Sequence, residues 1–227
     1  MRRLPFFAVL ALTTAMLRAQ DDEPDKRLRG ATDTLREIMT TPDRAIPRGL
    51  LNRSRCLAVV PGMKKAAFIV GGEYGRGYAL CRSEWGWSAP APIRLAGGSF
   101  GLQLGADSTD IVFLVMNERG MTRLLSDKFK IGADVAVAAG PVGRDATADT
   151  DILMRAEILS WSRTHGLFAG VSLDGTVVEH DDSESKKLYG RPYSNQEIIS
   201  GDIKPPEAAI GLVGEVNEIA PERLKTR

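Results

Sequence analysis

Residues 70–82, VGGEYGRGYALCR, place four glycines within seven positions and then continue as an alternating pattern. On a β-strand, successive side chains point to opposite faces of the sheet. The face with almost no large side chains then consists of Gly75, Gly77, Ala79 and Cys81. Such a face allows another backbone to approach closely. We therefore predict a strand whose glycines serve tight packing, preceded by a turn in which Gly71 and Gly72 adopt positive φ.

The same glycines are not arranged as a nucleotide-binding loop. A dinucleotide loop needs G-x-G-x-x-G between a strand and a helix, so that amides and the helix N-terminus meet the pyrophosphate. Here the order is Gly71-Gly72-x-x-Gly75-x-Gly77, and the YALCR that follows has the pattern of a strand. A Walker loop would end in Gly-Lys-Ser or Gly-Lys-Thr, and the sequence contains neither.

Short, partly β-branched segments at close spacing predict a sheet. From residue 56 onward they include CLAVVP, AAFIVG, SFGLQLG, DIVFLVMN and DVAVAAGPVG, while DILMRAEILSWSR fits either helix or strand. The proline-interrupted WGWSAPAPIRL predicts an edge strand or a loop. Asp174-Gly175 between GLFAGVSL and TVVEHD predicts a hairpin. We therefore predict an α+β fold with a largely antiparallel β-sheet or barrel-like core, N-terminal helices and short flanking helices.

Helical periodicity appears at the start of this region and again late in the chain. The apolar positions that recur at helical spacing are Leu28, Thr32, Leu35, Ile38 and Met39. They predict an amphipathic helix over residues 26–40, and a second short helix follows from about Pro47. ERGMTRLLSD, SESKKLYG and SNQEIISG predict further short helices. Prolines in the segment from residue 204 predict a loosely attached tail.

Residues 1–19 have the features of a secretory signal peptide. Arg2 and Arg3 precede an apolar run of about 14 residues, and Ala19 is a small residue suited to a cleavage site. The run is shorter than the roughly 20 residues that a bilayer span needs. We predict a secreted, periplasmic protein. Its predicted parts are an acidic linker at 20–27, one domain at 28–203 and a C-terminal tail at 204–227.

Export would place the chain in an oxidising compartment. Cys56 and Cys81 are the two cysteines of the sequence. A disulfide would need Cα atoms within about 7 Å of each other. The default interpretation is two separate, buried thiols that act as small hydrophobes, and both alternatives stay open.

The net charge does not indicate a partner, because the sequence contains 30 basic and 29 acidic side chains, whose charges nearly cancel. The charges are nevertheless uneven along the chain: residues 44–65 contain six basic residues and no acidic one, whereas the second half is rich in acids. Such asymmetry is typical of a surface for anionic partners, although arginines that only solvate one face give the same pattern.

Motifs for catalysis and for metal binding are weak. GGSFG matches the G-x-S-x-G nucleophile elbow around Ser99, with His165 and His180 further along. An elbow needs a strand, a sharp turn and a helix, whereas a strand-like segment follows this serine. The acids between residues 145 and 151 lack EF-hand spacing, and two distant histidines make no zinc site. We predict no metal and no cofactor, and keep a serine hydrolase as a remote alternative.

Several blocks together resemble the SYLF domain family. They are CLAVVPGMKKAAFIVGGEYGRGYALCR, WSAPAPI, GLQLGADSTDIVFLVMN, FKIGADVAVAAGPVG and WSRTHGLFAGVSLDGTVVEHD, in this order. The resemblance covers about residues 28–203. It implies a lipid-binding module without enzymatic activity. The resemblance is to a family whose eukaryotic members bind phosphoinositide membranes and, in some cases, actin. The signal sequence places this chain with an exported bacterial branch.

The resemblance implies that a basic, amphipathic N-terminal region recognises anionic, phosphoinositide-like head groups. The matching residues here are Lys26, Arg27, Arg29, Arg36, Arg48, Arg53, Arg55, Lys64 and Lys65. The apolar face of the first helix either meets acyl chains or packs on the sheet. The predicted partner is an anionic lipid or membrane surface, and an envelope protein is the alternative. Export argues against nucleic acid and against cytosolic actin.

Overall fold

The computed structural model describes residues 24–41, 45–67, 70–83, 86–100, 105–142, 156–164, 167–169, 173–200 and 203–221. The helices in these ranges are α1 Pro24–Thr40, α2 Arg48–Arg53, α3 Glu118–Leu125, α4 Asp182–Tyr189, α5 Asn195–Ser200 and α6 Ile210–Ile219, with a 3₁₀ turn at Glu207–Ala209. The strands are β1 Cys56–Ala67, β2 Val70–Ser83, β3 Gly86–Trp87, β4 Ala91–Phe100, β5 Gly105–Val115, β6 Lys128–Lys130, β7 Val137–Ala139, β8 Ile158–Thr164, β9 Leu167–Ala169 and β10 Val177–His180.

The strands form one curled sheet in the order β6-β10-β4-β2-β1-β5-β8-β7, with β3 beside β2 and β9 beside β8. The β7–β8 pair is parallel, and the other pairs are antiparallel. In a flat sheet of eight strands, the two outer strands would lie about 34 Å apart. The seven Cα–Cα steps from Lys130 to Val137 can span at most about 25 Å. Ile131 and Val135 in this connection also form a bridge, so the sheet curls and its two edges approach each other. The α+β, barrel-like prediction is confirmed.

Both faces of the central strands are buried. Leu57 and Val59 of β1 point into a core shared with α1, α2 and α6. Ala58 and Val60 of the same strand point into a second core on the inner side of the curl, which α3 and α5 also cover. The alternating side chains of these strands therefore contribute to two hydrophobic layers. Because β1 and β5 are buried on both faces, their sequences contain continuous apolar runs.

The glycines of β2 make room for a bulge in β1. The register of β1 shifts between Val59 and Lys64, and Gly62 there adopts a φ of +58°. A Cβ atom on Gly75 would lie 2.7 Å from Val60 Cγ1, and one on Gly77 would overlap the carbonyl oxygen of Val59. The prediction that these glycines serve close packing is confirmed, and residues 70–82 form a strand rather than a phosphate loop.

Three local predictions were wrong. Gly71 and Gly72 belong to β2 itself, paired to Ala67 and Ala66 of β1, so they form no positive-φ turn. The prediction of an edge strand or loop for WGWSAPAPIRL is correct for the short strand β3 and for residues 88–90, but wrong for β4, which lies between β10 and β2 with Pro92 near its start. The two strands around Asp174-Gly175 do not pair with each other: β9 pairs with β8, whereas β10 pairs with β4 and β6.

The tail is not loosely attached over its described residues. Leu212, Val216 and Ile219 of α6 are buried in the same core as Leu28 and Leu35 of α1. Two prolines precede α6, but the helix still packs against the core. Buried residues therefore include Arg27 of the predicted linker and, in the predicted tail, residues up to Ala220.

We expect Gly77→Ala to lower the free energy of unfolding by about 3 kcal/mol or more, because its Cβ overlaps backbone that cannot move independently of the bulge. Gly72→Ala is the matched control on the same strand. Its nearest atom would be the carbonyl oxygen of Gly97 at 4.0 Å, and its φ is not positive. Urea unfolding of both variants measures the difference. Equal stability of the two would contradict the packing role of Gly77.

Candidate binding surface

The apolar side of α1 is not available to a membrane. Leu28, Leu35 and Ile38 are at most 1% exposed, and Met39 is partly buried against the same core. The helical spacing that predicted an amphipathic helix is correct, but its apolar stripe packs on the sheet and on α6. The expectation that this face meets acyl chains is therefore wrong for the docked helix.

Arg27, a predicted lipid contact, lies inside the protein. It forms a buried ion pair with Glu184 of α4, which is 1% exposed. The same carboxylate accepts a 2.6 Å hydrogen bond from the hydroxyl of Tyr78. Burial first, and the adjacent Glu184 second, raise the pKa of the Tyr78 phenol well above its usual value. Arg27 thus holds the start of α1 to β2 and α4 and cannot meet a head group.

Asp181 continues this polar cluster towards the surface. Its side chain accepts from the amide of Glu184 at 3.1 Å and so caps α4. It also pairs with Arg76 of β2. Burial opposes ionisation, but the hydrogen bonds from Arg76, Ser183 and the Glu184 amide, together with the charge of Arg76, outweigh it and lower the pKa of Asp181 to about 2. The carboxylate is therefore ionised at neutral pH and holds α4 against the sheet.

Three other predicted cations already have partners. Arg36 pairs with Glu215 of α6 at 2.9 Å, and Arg55 pairs with Glu118 of α3 at 2.8 Å. Lys64 donates to the hydroxyl of Ser108 at 3.2 Å. The acidic partners partly offset the charges of Arg36 and Arg55, which weakens their attraction for an anionic surface. The hydroxyl of Ser108 is neutral and leaves the charge of Lys64 in place.

Exposed arginines without a partner in the described ranges are found on α1 and α2. They are Arg29, Arg48 and Arg53. On α2, Leu50 and Leu51 are buried, so Arg48 and Arg53 lie on the solvent side of this short helix. Lys26 is also exposed on α1, and the side chain of Lys65 lies outside the described residues. We call Arg29, Arg48 and Arg53 the arginine surface.

Arg82 of β2 holds the C-terminal end of α2, a role that sequence reasoning missed. Its guanidinium donates to the carbonyl oxygens of Ser54 at 3.1 Å and Leu51 at 3.3 Å. The alternation along β2 placed Arg82 on the same face as Tyr78 and Leu80. No local pattern shows that a helix end arrives at this face, because that contact joins residues 28 or more positions apart.

The two cysteines are joined. Cys56 and Cys81 stand directly opposite each other on β1 and β2 and form a disulfide in the inner core. Of the two alternatives that the sequence left open, the structure has the bonded one. The bond closes the hairpin at the end where α2 leads into β1.

Ser99 lies within strand β4, opposite Gly71 of β2, rather than at a sharp turn between a strand and a helix. In the described residues, the nucleophile elbow that a serine hydrolase would need is therefore not formed around Ser99. The Nδ1 atom of His180 is 2.7 Å from the Oδ1 of Asn195, and His165 lies outside the described residues, as do the acids at 145–151. In the part of the chain that the structure describes, no three His, Cys, Asp or Glu side chains are grouped to hold a metal ion. Nor does any helix there have the length and apolarity needed to cross a membrane.

We expect Glu184→Leu to lower the free energy of unfolding by about 3–5 kcal/mol, because it leaves the Arg27 charge buried without its partner. The double variant Arg27→Leu/Glu184→Leu should recover at least half of that loss. Arg55→Leu, which breaks an exposed pair, is the control and should cost less than about 1 kcal/mol. Urea unfolding measures all three. A cost for Glu184→Leu no larger than for Arg55→Leu would contradict the buried pairing.

Comparison with known proteins identifies the family of this chain. Residues 96–219 match the Ysc84 family model, described as a Las17-binding protein actin regulator. The chain is 35% identical to "LAS seventeen-binding protein 3" of Saccharomyces cerevisiae over 171 residues, which cover 73% of this chain and 37% of the relative. It is 33% identical to "SH3 domain-containing YSC84-like protein 1" of Xenopus laevis over 189 residues, which cover 79% of this chain and 56% of the relative.

The matched region in each case is a part of a longer relative. This chain therefore spans about a third of the length of the yeast relative and about half of the length of the Xenopus relative. The family match includes α6, in agreement with the packing of this helix in the core. The chain belongs to the Ysc84 family, the family of the SYLF domain.

Proposed function

We propose that this protein is an exported, non-enzymatic domain that binds anionic lipid through its arginine surface. The observation that carries the proposal is the contrast between the basic residues of this region that have an acidic partner and those that have none. Arg27, Arg36 and Arg55 have acidic partners, whereas Arg29, Arg48 and Arg53 point to solvent without one in the described residues. Exposed guanidinium groups bind phosphate well because their planar fork matches its oxygens.

The mode of binding would be electrostatic contact rather than insertion. The apolar residues of α1 are in the core, so a docked α1 offers only its polar side to a membrane. Each Lys or Arg near an anionic leaflet contributes about 1 kcal/mol, and salt screens this attraction. We therefore expect weak, reversible and salt-sensitive association with anionic bilayers.

The proposed location is outside the cytosol, in the periplasm. The signal-peptide pattern of residues 1–19 motivates this part of the proposal. The Cys56–Cys81 disulfide supports it, since structural disulfides persist in oxidising compartments. Preparation under oxidising conditions is therefore the appropriate state for binding studies.

A second candidate is a scaffold that binds a protein of the cell envelope. The names of the family and of its yeast relative, which describe binding to Las17 and regulation of actin, favour a protein partner for those proteins. For this chain, export would separate the domain from cytosolic actin. Failure of the protein to bind any vesicle would favour this second candidate.

We expect the triple variant Arg29→Ser/Arg48→Ser/Arg53→Ser to lose about a hundredfold in affinity for vesicles containing anionic lipid at low salt, because three contributions of about 1 kcal/mol are removed. The matched control is Arg123→Ser/Lys130→Ser/Lys186→Ser, which removes the same charge from exposed positions on α3, β6 and α4. Co-sedimentation with anionic and zwitterionic vesicles measures both. Equal losses in the two triple variants would contradict a localised arginine surface.

A further inference from the structure

Arg82 occupies a position where two helices end. Besides the α2 carbonyls of Leu51 and Ser54, its guanidinium donates to the carbonyl oxygens of Ala220 at 3.3 Å and Pro221 at 3.0 Å, directly after α6. The carbonyl groups at a helix C-terminus lack partners within the helix and carry partial negative charge. One cation thus satisfies the ends of both α2 and α6.

Trp87 of β3 fixes the guanidinium in this place. The Arg82 Cζ atom lies 4.5 Å from the centre of the Trp87 ring, within cation–π distance. The indole Nε1 of Trp87 donates to Ala220 at 2.8 Å, the same carbonyl that Arg82 contacts. A backbone hydrogen bond also holds Arg82 in place, since its amide donates to the carbonyl oxygen of Arg55 at 2.8 Å.

We propose that Arg82 is the positioning residue for Arg48 and Arg53, the α2 part of the arginine surface, and that it couples α2 to the C-terminal helix α6. The part of this proposal that concerns lipid rests on the proposed function, whereas the coupling of the two helices does not depend on it. α2 has six residues, and its N-cap residue Pro47 makes no side-chain cap. A helix this short is not stable alone, so the orientation of Arg48 and Arg53 depends on Leu50, Leu51 and the four-carbonyl contact of Arg82.

The test is Arg82→Lys, which keeps the charge but loses the planar fork that reaches four acceptors. Arg76→Lys is the control, because Arg76 lies on the same face of β2 and pairs with α4 instead. Trp87→Phe is a second variant that keeps an aromatic ring and removes the bond to Ala220. Hydrogen exchange of the Leu50, Ser54 and Ala220 amides, and vesicle affinity at low salt, are measured for each.

In Arg82→Lys, we expect exchange at Ser54 and at Ala220 to rise together by about tenfold or more, with little change in Arg76→Lys. Trp87→Phe should speed exchange at Ser54 as well as at Ala220, because the two helix ends share one guanidinium. If Arg82→Lys or Trp87→Phe speeds hydrogen exchange in α6 but leaves exchange of the α2 amides unchanged, the proposed coupling of the two helices is overturned. This readout needs no lipid, so it decides the inference even if the protein binds no vesicle.

For vesicles that the protein does bind, we expect Arg82→Lys to reduce affinity about fivefold, a fraction of the loss from removing the arginines themselves. Combined with Arg48→Ser/Arg53→Ser, it should add no further loss, because a positioning residue acts through the groups that it positions. Additive losses would show that Arg82 contacts lipid directly and would overturn the positioning role. An unchanged affinity for Arg82→Lys would overturn it as well.

Discussion

The packing of α1 on the sheet determines which charges the protein presents to its surroundings. Leu28, Leu35 and Ile38 are in the core, so the helix cannot turn without exposing them. With the rotation fixed in this way, Arg27 points inward to Glu184 and Arg29 points outward to solvent. The rotation of α1 about its axis therefore makes one of two neighbouring arginines a buried, structural residue and leaves the other exposed.

The sheet that receives α1 depends in turn on close backbone contacts. The bulge in β1 near Gly62 is accommodated because Gly75 and Gly77 of β2 carry no side chains. Gly30 of α1 rests on Pro61 of the same bulge, so the bulge also marks the contact between helix and sheet. Bulges increase local twist, which is consistent with a sheet whose outer strands approach each other.

Features encoded by short-range periodicity could be predicted from the sequence. The α1 and α2 helices, the glycine face of β2 and the antiparallel character of the sheet follow from patterns of a few residues. Which strands pair could not be predicted, and Asp174-Gly175 shows why. Its local turn forms, with Gly175 at a φ of +89°, but each flanking strand pairs with a strand distant in sequence.

The candidate surface could be predicted in part. Composition identified the basic region, but only tertiary contacts show that Glu184, Glu215 and Glu118 remove three of its cations from competition for a ligand. These acids lie 63 or more positions away in the sequence, beyond the reach of any local pattern. The contribution of Arg82 has the same origin, because its acceptors are on two helices that meet only in the folded chain.

The central claim is that the protein binds lipid through its arginine surface while α1 remains docked, and a covalent lock tests it directly. An ideal Cβ on Gly30 lies 3.4 Å from the Cβ of Pro61, close to the spacing of a disulfide. The variant Gly30→Cys/Pro61→Cys, oxidised and then reduced by a mild reagent that leaves the buried Cys56–Cys81 bond intact, should bind anionic vesicles equally in both states. Binding that appears only after the lock is opened would contradict the account, since it would mean that α1 must leave the sheet and insert its apolar face.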